Sequence, residues 1–210
     1  WACGLNVHAI LCNATRINQI PMASANTARS TSRKCVVVAS TSGIPPLPLA
    51  TEVPMTITLQ KIIEYKREEV AKRKAERPLT ELQDVVKDAD KARNFFGAVV
   101  NSHTKGSTSV IAEVKRKSPS AGVIREDFDP VAIALAYEKA GAAAISCLTD
   151  TEFFGGNLAF IEQIRDVVSL PVLRKDFVID SYQIWEARAA GADAILLISE
   201  VLSEGQLLDY

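Results

Sequence analysis

Acidic side chains are missing from the first quarter of this chain. Residues 1–51 contain no Asp or Glu, and their only charges are Arg16, Arg29, Arg33 and Lys34. All 25 acids lie beyond Thr51, so a basic leader precedes a weakly acidic body. Cysteine is nearly as scarce. Cys3, Cys12 and Cys35 fall in the leader, and the body holds only Cys147. One cysteine builds no internal disulfide framework, which points to an intracellular protein. His103 is the only histidine of the body, so a Cys/His metal cluster is excluded. No apolar run approaches the ~18 residues of a membrane-spanning helix, and mean hydropathy is only +0.09. With 24 bases against 25 acids the net charge is −1, which lacks the footprint of a nucleic-acid or acidic-membrane binder. No Gly-x-Gly-x-x-Gly follows a candidate strand, so a dinucleotide-binding sheet loses support.

The leader is rich in Ser and Thr. Basic, hydroxylated and acid-free is the composition of an organelle transit peptide, and it offers no apolar periodicity to fold with. Met22-Ala23-Ser24 reads as the start of a plastid transit peptide. Residues 1–21 then read as translated upstream sequence or a gene-model artefact. A generic disordered tail is the alternative. A secretory signal fits worse, since no apolar stretch of about 7–15 residues follows a basic start. Ile44-Pro45-Pro46-Leu47-Pro48 reads as an extended linker.

From about Thr58 to Arg77 the pattern is helical, with Leu59, Ile62, Ile63 and Val70 on one face. Its charges read as a solvated face. Pro78 stops this helix, and Thr80 with Gln83 reads as a capping box for a second one carrying Leu82, Val85 and Val86. A third short helix holds Phe95, Phe96, Val99 and Val100. Beyond residue 110 strands and helices alternate. Strands are expected at 110–115, 144–148, 171–175 and 194–198, with helices between them. Asp129-Pro130 is an N-cap and first helical residue, and Ser203 caps the last helix. Strand starts 34, 27 and 23 residues apart imply right-handed βα units in a parallel sheet. A (βα)8 barrel and an open doubly wound sheet both fit.

Certain charges do not suit buried parallel strands, which should read as nearly continuous apolar runs. In the first strand Ile111, Glu113 and Lys115 share one face, and Val110, Ala112 and Val114 the other. In a barrel the apolar set meets the helices and the charged set points inward. In the third strand Leu173, Lys175 and Phe177 share a face, placing Lys175 at the C-terminal end where barrels carry their chemistry. A structural ion pair is the alternative. The loop Lys115-Arg116-Lys117-Ser118-Pro119-Ser120-Ala121-Gly122 suits an anionic ligand, although it is also simple turn chemistry. Phe154 and Phe177 would line one mouth suited to an aromatic group, with core packing as the alternative.

Four segments carry a resemblance. They are Ile111–Ser120, Leu148-Thr149-Asp150 with Phe153-Phe154-Gly155-Gly156, Leu170–Phe177, and Gln183–Ile198. In this order they resemble the indole-3-glycerol-phosphate synthase family, as does the helix Lys61–Val70. The resemblance covers about residues 57–210 and, with the leader, is to the plastid form of a plant or alga.

The resemblance implies a (βα)8 TIM barrel of tryptophan biosynthesis, needing no metal or organic cofactor. Its reaction closes the indole ring of 1-(2-carboxyphenylamino)-1-deoxyribulose 5-phosphate with loss of CO2 and water. It implies a small-molecule anionic aromatic sugar-phosphate substrate, neither nucleic acid nor membrane as partner, and a monomeric full-length form. By motif, Lys175 resembles the general acid, Lys115 the lysine that pairs with the substrate carboxylate, and Glu113 the carboxylate that orients them. Ser118, Phe154, Phe177 and Leu196 match pocket positions around the aromatic ring. A barrel typically takes ~250 residues, and residues 110–210 offer four strands. The expected division is a leader at 1–51, an N-terminal helical extension at 52–109 and a half-barrel at 110–210. The family's strand-five glutamate, strand-six asparagine and phosphate loops have no counterpart here. The chain as given is therefore expected to be an inactive fragment with two open sheet edges. The alternatives are a non-catalytic product that binds a partner barrel, or another phosphate-binding barrel enzyme.

Overall fold

The computed structural model describes residues 58–101 and 108–210, together with the backbone of strands at 9–13 and 37–39. The transit-peptide composition, the Pro-rich linker and His103 lie outside the described residues. In chain order the elements begin with strands β1 (Ala9–Asn13) and β2 (Val37–Ala39). Three helices follow, α1 (Leu59–Glu76), α2 (Leu79–Asp88) and α3 (Phe95–Asn101). Next come β3 (Val110–Val114), a small hairpin of β4 (Lys117–Ser118) and β5 (Gly122–Val123), and α4 (Pro130–Lys139). The rest alternates: β6 (Ala144–Leu148), α5 (Thr151–Phe154), α6 (Ala159–Arg165), β7 (Val172–Lys175), α7 (Tyr182–Ala189), β8 (Ala194–Ile198) and α8 (Glu204–Asp209).

The four βα strands pair in parallel in chain order, β3 to β6 to β7 to β8. Both edges carry partners, contrary to the expectation of open edges. β1 runs antiparallel along β8, and β2 parallel along β3. An unpaired strand edge presents free N–H and C=O groups, and any extended segment of the chain can satisfy them.

Strand alternation divides the core into two layers. Val114, Ile145, Cys147, Val172, Ile195 and Leu197 face α4, α6 and α7, forming the helix-side core with Ile133, Ile161 and Ile164. Ile111, Ala144, Leu173 and Ala194 face the opposite way and are closed off by Phe95 and Val99 of α3. The expected orientation of the first strand therefore holds: Val114 meets the helices and Ile111 points inward, with Glu113 on the same side. Cys147 is fully buried in the helix-side layer, and burial pushes its thiol pKa up to about 12.

Asp129 caps α4 by accepting from the N–H groups of Val131 and Ala132, as its Asp-Pro signature implies. Ser203 and Gln206 form the capping box of α8. The capping box expected at Thr80 and Gln83 does not form. Helix α2 starts at Leu79 directly after Pro78, which puts Thr80 inside the first turn. Pro78 supplies the extended backbone that opens the helix, so no side-chain cap is used. Only Leu82 of this helix is buried, while Val85 is exposed. In α3, Phe95 fills the barrel floor whereas Phe96 is 62% exposed.

The charges of α1 are also not all solvated. Ile62, Lys66 and Val70 form its buried stripe, and Lys66 is 1% exposed. Val70 joins Leu82 and Tyr182 in a satellite core. The Tyr182 hydroxyl donates to the carbonyls of Arg73 or Arg77, at 3.1 and 2.9 Å, fastening the end of α1 to α7.

Candidate active site

Glu113, the fourth residue of β3, is buried on the inner face of the sheet. Isolating a carboxylate there would cost several kcal/mol, so it needs charged partners. It has two. Lys115 Nζ reaches one carboxylate oxygen at 2.5 Å, and Lys175 Nζ bonds to the other. Burial alone would raise the Glu113 pKa, but Lys175, with help from Lys115, outweighs it and holds the carboxyl below its ordinary value.

Lys175 stands on β7 and Glu113 on β3, with β6 between them. The contact must therefore cross the middle strand. Ser146 is paired in register with Glu113 and, by alternation, faces the same side as Ala144. A serine at that level leaves room for the lysine to pass. The two lysines keep an open side, Lys115 at 20% and Lys175 at 36% side-chain exposure, so their ammonium groups can meet a ligand.

Above this cluster Phe154 and Phe177 face each other, with ring centroids 6.2 Å apart and planes tilted by 38°. Phe154 ends the short helix α5, which Asp150 opens by accepting from the N–H groups of Phe153 and Phe154 at 2.7 and 3.2 Å. Gly155 closes that helix with φ +62°, a left-handed conformation that disfavours any Cβ. A Cβ there would also press on the stem of Lys117, at 3.1 Å from its Cγ. A Cβ on Gly156 would collide with the backbone carbonyl of Leu148. The double glycine thus folds the loop down onto the end of β6 and lets the Lys117 stem lie against Gly155.

Of the seven candidate residues, Lys115 and Lys175 both contact Glu113, and Phe154 and Phe177 pair with each other. Ser118 serves its own loop, where its hydroxyl accepts from Ala121 N at 3.2 Å and closes the β4–β5 turn. Leu196 lies partly buried against the inner apolar layer. The loop after β3, whose sequence also suits a plain turn, carries that short hairpin.

A set of buried charges behind the site went unrecognised in the sequence. Lys66 contacts Glu69 at 2.6 Å, Asp150 at 2.8 Å and Asp176 at 3.0 Å, as close ion pairs off ideal hydrogen-bond directions. Asp176 also meets Arg174 at 3.0 Å, and Arg174 meets Glu186 at 2.9 Å. Arg73 joins Glu186 at 3.0 Å to Glu69 at 2.5 Å. Lys66, Asp176, Arg174, Glu186, Arg73 and Glu69 thus form a closed ring of alternating charge, with Asp150 as a branch. Burial opposes ionisation of Lys66, but Asp176 and Asp150 outweigh it and raise its pKa. Burial likewise opposes ionisation of Asp176, but Arg174 and Lys66 hold its carboxyl far below the usual carboxylate range. Two signals were present in the sequence: Asp150 stands where a cap for Thr151–Phe154 belongs, and Arg174 points a charge toward the helix layer of a parallel strand. Among the described residues, no group of three or more His, Cys, Asp or Glu side chains could hold a metal ion.

Parallel βα units in sequential order, with polar chemistry gathered at the C-terminal ends of β3 and β7, define a partial (βα)8 barrel with an enzyme-type site. Residues 59–209 match the family model described as indole-3-glycerol phosphate synthase. The chain belongs to that family. It is 54% identical over 153 residues to a protein named indole-3-glycerol phosphate synthase from Acidithiobacillus ferrooxidans, covering 73% of this chain and 58% of the relative. Proteins of the same name from Rhodopirellula baltica and Aromatoleum aromaticum are 50% and 49% identical over 155 residues, covering 74% of this chain and 58% and 59% of the relatives. The chain therefore spans less than two thirds of the length of these relatives.

Proposed function

We propose that this chain supplies the acid-bearing half of an indole-3-glycerol-phosphate synthase site, which closes the indole ring of 1-(2-carboxyphenylamino)-1-deoxyribulose 5-phosphate. The observation that carries this reading is the Lys175 ammonium held on Glu113, beside Lys115 and under the Phe154–Phe177 pair. In this reading the aryl ring enters between the two phenylalanines, and Leu196 and Ser118 border it. Lys115 pairs with the ring carboxylate. Lys175 protonates the ketone oxygen as the carboxylate-bearing ring carbon bonds to the ketone carbon, and the carboxylate then leaves as CO2 to restore aromaticity. Lys175, reprotonated from water, next protonates the new hydroxyl, which departs as water while the neighbouring N-bound carbon gives up a proton to solvent. Glu113 holds both ammonium groups in place and aimed, one on each of its carboxylate oxygens. Folding the flexible sugar chain back over the ring is a large part of the barrier, and a tight pocket supplies that positioning. No step requires a metal or an organic cofactor.

Turnover is assigned to the full family length, and the 210-residue chain alone is expected to be inactive. The test is indole-3-glycerol phosphate formation followed by absorbance, with this chain and with a version carried through the remaining family length. Turnover by the longer protein alone supports the reading. Turnover by the 210-residue chain refutes the need for the second half, and none by either refutes the assigned reaction. The longer form is expected to run as a monomer in size-exclusion chromatography. The basic, acid-free leader supports a plastid address, which residues 1–51 fused to a fluorescent reporter would reveal in plant or algal cells.

A further inference from the structure

Both aromatic walls of the site are fixed through their backbone by carboxylates that meet at one ammonium. Asp150 accepts from the N–H groups of Phe153 and Phe154 through Oδ1, and its Oδ2 lies 2.8 Å from Lys66 Nζ. Asp176 accepts from the N–H of Phe177 at 2.8 Å through Oδ1, the same oxygen that lies 3.0 Å from Lys66. Both carboxylates are almost fully buried, so without the cation they would repel each other in a poorly screened setting. The second oxygen of Asp176 accepts from the Thr149 hydroxyl at 2.7 Å and from Arg174 at 3.0 Å, so Thr149 ties the end of β6 to Asp176 directly, while Lys66 bridges the carboxylates of Asp150 and Asp176.

We propose that Lys66, on a helix outside the βα units, is a positioning residue that sets the separation of Phe154 and Phe177 and thereby the grip on the aryl group. This rests on the function proposed above for the identity of that group. The catalytic cluster has anchors besides Lys66. Lys175 is held in the strand ladder, where its carbonyl accepts from Thr149 N at 3.2 Å, and its ammonium is held by Glu113. Loss of Lys66 therefore loosens the rings while leaving the acid in place.

Two measurements test this, on Lys66→Met and on Lys66→Arg, the latter keeping the cation should the former not fold. The first is amide hydrogen exchange of the 210-residue chain, which needs no activity. Exchange at Phe154 and Phe177 should accelerate about tenfold or more in Lys66→Met and clearly less in Lys66→Arg, with Ile145 N–H in the β6 ladder changed less than about twofold in both. Uniform acceleration, or none, overturns the proposal. The second is steady-state kinetics in the protein of full family length. KM should rise about tenfold with kcat within about threefold, the signature of lost uniform binding. A lower maximal rate at unchanged KM would mean fewer folded molecules and would overturn it. Absence of turnover in the unaltered long protein counts against the assigned reaction, and the exchange result still decides the role of Lys66.

Discussion

Lys115 and Lys175 are held on the two oxygens of a single carboxylate, although they arise from strands that are not neighbours. Glu113 brings together two like charges that would otherwise separate, and points both into the open end of the sheet.

Removing the acid should therefore be far more damaging than its modest surface area suggests. In the protein of full family length, Lys175→Ala should lower kcat by about 10²–10⁴, the usual worth of a positioned general acid. Circular dichroism should show the fold retained. A near-normal rate would remove Lys175 from the chemistry.

The passage across β6 is equally testable. Ser146→Leu places a branched side chain between Glu113 and Lys175. The variant should fold, because Ile145 and Cys147 keep the helix-side core, yet lose at least about tenfold in kcat. Steady-state kinetics beside a thermal melt separates the two effects.

Glu113 makes a prediction about acid. Its folded pKa is depressed below the ordinary 4.5. The stabilisation it contributes is thus complete above about pH 4.5 and is lost as pH falls through the lower folded value. Melting temperatures of the parent chain and of Glu113→Gln should differ at pH 7 and converge as the pH falls below 4.5. A gap that stays constant as the pH falls from 7 to well below 4.5 would show that Glu113 is not ionised against the lysines.

The charge ring should dominate stability at the back of the site. Arg174→Met leaves Asp176 and Glu186 short of a buried partner and should cost about 3–5 kcal/mol, as when one member of a buried pair is deleted. Urea unfolding of the 210-residue chain gives the number. A loss under about 1 kcal/mol would mean that water or side-chain movement replaces the guanidinium.

Cys147 should be silent toward thiol reagents in the native protein, since it is fully buried with its pKa pushed up to about 12. Peptide mapping after alkylation should find it modified only in denaturant. Native labelling would require opening of the β6 layer.

Much of this fold was legible because βα units repeat two local signals, apolar strand runs and capped helices. Asp129 and Ser203 do what their neighbours in sequence suggest. The inner pair Glu113 and Lys175 was legible as well, since charge on a buried parallel strand has few uses. Thr80 misled because a capping motif is decided by the backbone that precedes it, and Pro78 had already opened the helix. Lys66 was illegible for a different reason. On α1 it is one of many charges, and only the return of Asp150 and Asp176 from far along the chain buries it. The Phe154–Phe177 pairing was legible in outline, but the ring that holds it belongs to tertiary structure alone.

The buried ring also redraws the boundary of the working unit. By topology the βα repeat begins at Val110, and α1 looks like an appendage that could be trimmed or swapped. Electrostatically it cannot, because Asp150 and Asp176 are paired from outside the repeat. A chain begun after Arg77 would have to protonate a carboxylate, admit water behind the aromatic wall, or shift both loops. Any helix exchanged for α1, in a chimera or in the course of evolution, must bring its own cation to the place of Lys66. The first helix is thus inherited together with the loops it neutralises.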